Sequence, residues 1–174
     1  MASPQERFLQ DHKIEEYVDK KGKTRRRYVY MGDLYIRQLT EKQRRTERYL
    51  GVLVALAAGG LAVFAATWNT PVNAHGFFAV LSILAMIPAL GVLTGAVSAF
   101  CKKGDLTSRE YHERLILLRT MSLLGAALLL VLSLGYALHG AWPAFAAALP
   151  AAALYALVGV HELKVKYTVK ARQA

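Results

Sequence analysis

From Tyr49 to Cys101 the chain runs 53 residues without an Asp, Glu, Lys or Arg. About 20 apolar residues suffice for a helix to cross a bilayer. This run is therefore too long for one span and right for two joined by a short turn. The turn is legible at Trp68-Asn69-Thr70-Pro71-Val72-Asn73-Ala74-His75-Gly76, where helix breakers and hydrogen-bonding side chains cluster. A second charge-free stretch, Thr120 to His161, breaks in the same way at His139-Gly140-Ala141-Trp142-Pro143. The expected fold class is an all-α membrane protein. Its four transmembrane helices form two hairpins over residues 49–161, with spans at 49–67, 77–100, 115–138 and 144–160 and a loop at 101–114.

Charge placement predicts orientation. Of the 22 Lys and Arg residues, 13 precede Tyr49, five lie between Lys102 and Arg119, and four between Lys164 and Arg172. Basic flanks are retained on the cytoplasmic side, so both termini and the middle loop are expected there, with a bacterial inner membrane favoured. The first 48 residues have no apolar signal-peptide core, and the first span is expected to serve as its own insertion signal. The net charge of +10 raises nucleic acid as a partner. Topogenic charge and attraction to anionic headgroups explain it better, and no nucleic-acid binding is expected. The single Cys101 excludes an intramolecular disulfide.

Outside the spans, residues 1–48 read as a basic cytoplasmic segment and 162–174 as a basic tail. Tyr- and Val-rich runs around Lys20-Lys21-Gly22-Lys23 predict a β-hairpin over 13–31, with Glu15, Glu16 and Asp19 facing Arg25, Arg26 and Arg27. A juxtamembrane helix is expected over 34–48, with Arg44, Arg45 and Arg48 at headgroup level. Arg25, Arg26, Arg27, Arg44, Arg45 and Arg48 are the candidate lipid- or partner-binding residues. Alternation in Lys164 to Lys170 suggests a strand that joins the hairpin as a third member. Asp105 or Thr107 is expected to cap a short interfacial helix.

Within the spans, small residues four apart mark close helix approach. Gly91 and Gly95, and Ala144, Ala148, Ala152 and Ala156, form the candidate packing seam. Pro88 and Pro150 are expected to kink their helices. No Asp or Glu falls inside a predicted span, and no His lies there to activate a Ser, so neither catalysis nor a cofactor is expected. His75 and His139 lack a third ligand for a metal. Arg119, one turn inside the third span, with His161 and Glu162, is the candidate polar cluster or pathway. A loose internal repeat aligns His75-Gly76 with His139-Gly140 and Pro88 with Pro150.

These features predict a non-catalytic membrane subunit, scaffold or regulator that binds a protein partner, or another copy of itself, and anionic lipid through its basic face. The alternative is a small oligomeric transporter or channel with Pro88 and Pro150 as hinges and Arg119 on the pathway.

Overall fold

A computed structural model describes residues 12–18, 23–102 and 105–170. The order of elements is β1 (His12–Val18), β2 (Thr24–Tyr30), β3 (Leu34–Arg37), α1 (Glu41–Thr67), α2 (Pro71–Ala74), α3 (Gly76–Cys101), β4 (Leu106–Thr107), α4 (Ser108–Arg114), a π-helical turn (Leu115–Thr120), α5 (Met121–Leu138), α6 (Trp142–Lys164) and β5 (Tyr167–Lys170). The chain divides into two compact units. One holds the strands and is assembled from three separate stretches, and the other holds the long helices.

Four helical stretches are long and apolar enough to cross a membrane: Glu41–Thr67, Gly76–Cys101, Ser108–Leu138 and Trp142–Lys164. Each overruns its predicted span at the charged end. The start of α1 is set by a capping box, in which Thr40 accepts from the Gln43 amide while Gln43 accepts from the Thr40 amide. This displaces the helix expected over 34–48. Leu34–Arg37 is strand instead, because Leu-Tyr-Ile-Arg has the alternating, β-favouring character of a sheet edge and the helix cannot begin before its cap.

A second correction falls at 108–114. The short helix expected there does not end before the predicted third span at 115 but runs on into it, since no Gly or Pro stands between Ser108 and Met121. Its start carries a reciprocal cap like that of α1: Thr107 Oγ1 accepts from Glu110 N (3.4 Å) and Glu110 Oε2 accepts from Thr107 N (3.1 Å).

In the helical unit α1 packs on α3 and α6, and α5 packs on the same two helices. Gly135 meets Phe78, Gly125 meets Pro88, Gly91 meets Met121, and Gly95 meets Leu117 and Leu118. Along this series residue numbers fall on one helix as they rise on the other, so α3 and α5 run antiparallel. Three helices give the core mostly small residues, Ala55, Ala58, Ala62 and Ala65 of α1, Ala85, Ala89, Val92 and Ala96 of α3, and Ala144, Ala147, Ala148, Ala151 and Ala152 of α6, while Leu129, Leu132 and Tyr136 of α5 and Tyr155 of α6 fill its larger spaces. Small side chains let backbones approach, and many dispersion contacts follow. Many large apolar side chains point outward, among them Leu53, Leu56, Ile83, Ile87, Leu90, Leu134 and Leu157. That inside-out distribution leaves a broad apolar exterior of the kind a soluble monomer rarely carries.

In the strand unit β1 and β2 pair antiparallel, with Glu16 opposite Arg26 and Glu15 opposite Arg27. The predicted connector, with Asp19 and Gly22, lies outside the described residues. A separate three-stranded sheet has the order β4-β3-β5. The C-terminal strand therefore joins β3 and not the β1–β2 pair. Tyr35 pairs with Val169 in register, and Gln38 Nε2 donates to Thr168 Oγ1 at 2.7 Å. Tyr35 stacks on Tyr111 at 4.1 Å, Tyr111 meets the Tyr167 ring edge-on, and the Arg37 guanidinium lies 5.6 Å over Tyr167. This aromatic cluster draws three distant stretches of chain into one unit.

Candidate functional site

The polar groups of the helical unit collect at its two ends. At the end bearing α2, the buried Tyr136 hydroxyl donates to Asn73 Oδ1 at 2.8 Å, with the Ala65 carbonyl oxygen at 3.2 Å. The Asn73 amide nitrogen in turn lies 3.2 Å from the Ala65 and Ala66 oxygens and 2.8 Å from that of Trp68. These carbonyls close α1 and have no partner within the helix. Asn73 is placed by α2, whose first turn is pre-set by Pro71 and capped by Thr70. The buried Ser82 lies beside the Tyr136 hydroxyl. Tyr136 is thus a core residue. Its hydroxyl finds partners inside the bundle, and Trp68, Phe77 and Trp142 remain exposed.

At the opposite end, the Arg114 guanidinium makes two bonds to Glu162, with Nη2 at 2.9 Å from Oε1 and Nε at 3.4 Å from Oε2. Their side chains are only 15% and 6% exposed. His161 Nε2 lies 3.4 Å from Glu47 Oε1 on α1. This corrects the candidate cluster of Arg119, His161 and Glu162. Glu162 takes Arg114, His161 takes Glu47, and Arg119 is exposed. The physical reason is helical phase. Arg114, Leu118 and Ser122 follow one another at four-residue steps across the π-helical turn, with Leu118 and Ser122 buried, and Arg119 is rotated off that line to the exterior. The sequence held a signal for Glu162 as an inward group. It continues the buried stripe Ala144, Ala148, Ala152, Tyr155 and Gly159 at steps of three or four. Ending the span at 160 hid it.

Between the two ends there is little chemistry. Thr94 and Ser133 bond back to carbonyls of Leu90 and Leu130, and Ser122 to that of Leu118. Tyr155 is fully buried against Gly125 and Gly59, and its hydroxyl has no hydrogen-bond partner among the described residues. His75 and His139 lie 6.4 Å apart between ring centroids, both exposed. Among the described residues no group of three His, Cys, Asp or Glu side chains converges to hold a metal ion.

The remaining candidates fall as follows. Gly91 and Gly95 touch α5 and the π-helical turn, Ala144, Ala148 and Ala152 are buried, and Ala156 is half-buried. Pro88 is buried and Pro150 exposed. Arg26 makes an exposed pair with Glu16 at 2.8 Å, while Arg25 and Arg27 stand opposite Tyr17 and Glu15 in the β1–β2 register. Arg45 is exposed and Arg44 and Arg48 are half-buried near the start of α1. Comparison with known proteins finds no matching family model, no similar curated protein and no similar solved structure.

Proposed function

We propose that this chain is an integral membrane protein of four spans, arranged as two helical hairpins. Both termini and the middle loop face the cytoplasm, with a bacterial inner membrane as the favoured location. On this reading it works without catalysis, as a subunit, scaffold or regulator of a membrane complex. Its basic cytoplasmic face engages a protein partner, or a further copy of the chain, and anionic headgroups.

One observation carries the reading: the bundle consumes most of its own polar groups. Asn73, Tyr136, Arg114 and Glu162 tie helix to helix, and Thr94, Ser122 and Ser133 bond to their own helices. A catalytic site needs an acid, base or nucleophile held ready for substrate, and these groups are already engaged. The strand unit, by contrast, is a separately ordered structure assembled from three chain segments, an investment suited to recognition. The test is purification of the full chain from membranes in gentle detergent, followed by mass analysis of what accompanies it. A stoichiometric partner that is lost on deleting residues 1–33 supports the reading. Unchanged partners and lipids after that deletion overturn it.

A second reading, an oligomeric transporter or channel with Pro88 and Pro150 as hinges, is favoured by the buried Tyr155 hydroxyl near Gly59, which has no hydrogen-bond partner among the described residues. Arg119 stands on the exterior of a single copy, so a pathway past it would run between copies. Loss of flux in Arg119→Ala would support this reading, and unchanged flux would remove Arg119 from it.

A further inference from the structure

His75 caps the start of α3 and His139 the end of α5. Their ring centroids lie 6.4 Å apart with the planes tilted by 32°. Both side chains are exposed, and neither ring has a hydrogen-bond partner among the described residues. The turns that carry them are fixed in place. His75 follows α2, which Thr70 caps and Asn73 ties to the last carbonyls of α1. After His139 the chain reverses through Gly140 at a φ of 71°, a conformation that glycine takes freely, and the Ala141 amide returns to the Tyr136 carbonyl at 2.8 Å. The Tyr136 hydroxyl joins the two turns by donating to Asn73 Oδ1 at 2.8 Å, and the Phe78 ring stands edge-on to His139. Neither turn contains a Lys, Arg, Asp or Glu.

We propose that His75 and His139 together hold a copper(II) ion, with water in the remaining coordination positions. Metal–nitrogen bonds run about 2.0–2.1 Å, and a ring nitrogen lies about 1.2 Å from the ring centre. Two imidazoles on one metal therefore have centres about 4.5 Å apart at a right angle and about 6.4 Å apart in line. The observed separation is the in-line value, which is the trans arrangement of a square-planar ion. Because both side chains are exposed, each ring can turn a nitrogen toward the other without displacing its backbone. Three arguments select the metal. Two imidazoles are too few for a closed tetrahedral zinc site, whereas tetragonal copper(II) takes nitrogen and oxygen donors, so water completes its set. Copper(II) also stands highest in affinity among the divalent first-row ions at a given site. The uncharged turns set no cation against it. The site gives a task to the matched His75-Gly76 and His139-Gly140 pairs of the internal repeat, and it goes beyond the proposed function, which concerns the basic face.

The test is calorimetric titration of the full chain, in detergent and free of any affinity tag, with copper(II), nickel(II) and zinc(II) salts in turn. The unchanged protein should take up one copper(II) per chain, more tightly than nickel(II) or zinc(II). His75→Asn and His139→Asn each keep a polar turn residue and remove one imidazole. Each should weaken copper binding by at least about tenfold, the lower end of what even an outer-shell change costs a metal site, with the unfolding midpoint of the metal-free protein unchanged. The remaining histidines are His12, His112 and His161. Replacing all three with Asn leaves only the proposed pair, and this variant should bind copper as the unchanged protein does. Pulsed electron paramagnetic resonance of its copper complex should show two coordinated imidazoles. Equal copper affinity in His75→Asn and the unchanged protein overturns the site. So does loss of copper binding in the triple variant, a spectrum with a single imidazole, or tighter binding of zinc(II).

Discussion

At one end of the helical unit a neutral cluster joins α1, α2 and α5, with the Tyr136 hydroxyl on Asn73 and Asn73 on the last carbonyls of α1. At the other, a buried Arg114–Glu162 ion pair joins the start of the third long helical stretch to the end of α6. Both ends tie together residues distant in sequence, but by different physics. The neutral cluster satisfies helix-terminal groups that would otherwise lack partners, so its parts are individually modest. The ion pair gains from mutual attraction in a low dielectric and bears a large desolvation penalty. It tolerates loss of both partners far better than loss of one. The ionic end is therefore the more fragile to single substitutions, and the neutral end the more evenly distributed.

The largest expected effect tests the ionic end. Glu162→Ala takes the carboxylate away from the largely buried Arg114 guanidinium and should lower stability by about 3 kcal/mol. The measurement is reversible unfolding in mixed micelles. The double substitution Arg114→Met with Glu162→Leu should recover most of that loss, and a merely additive double mutant would break the comparison.

Asn73→Ala comes next. It removes the cap from three carbonyls and the acceptor of Tyr136, for about 2 kcal/mol. Tyr136→Phe should lose only about 1 kcal/mol, because the Asn73 contacts to α1 remain. If Tyr136→Phe matched Asn73→Ala, the hydroxyl rather than the cap would hold this end.

Packing offers a finer contrast between the same ends. A Cβ on Gly95 would lie 2.9 Å from Leu117 Cβ, an atom fixed to backbone, so α3 and the π-helical turn must part. On Gly135 it would meet the outer edge of the Phe78 ring, which can swing away. Gly95→Ala should therefore cost about 1 kcal/mol more than Gly135→Ala, read as a difference in unfolding midpoint. The smallest effect belongs to Arg26→Ala. Its pair with Glu16 has the same chemistry as Arg114–Glu162 but side chains 73% and 55% exposed, and its loss should stay below about 0.5 kcal/mol. A larger loss would show that burial is not what separates the two pairs.

The internal repeat seen in the sequence meets unequal surroundings. A Cβ added at Gly125 would meet Pro88 at 3.1 Å. Pro88 is buried and Pro150 exposed. Matching letters in the two halves thus perform different packing tasks.

What the sequence determined alone was local. Hydropathy and charge-free length specified four helices long enough to cross a membrane, because those properties sum over neighbours in the chain. Thr107 was readable as a helix cap, with Asp105 as its competitor, whereas the start of α1 at Thr40 emerged only in the structure. Only the tertiary structure decided which arginine meets Glu162. That choice spans 48 residues and turns on the rotation of one helix against another, with a π-helical turn resetting the phase between Arg114 and Arg119. It also decided that β5 joins β3, since the edge of a short strand accepts any partner in register. Tyr35, Tyr111, Tyr167 and the Gln38–Thr168 bond select one partner among several the pattern allows.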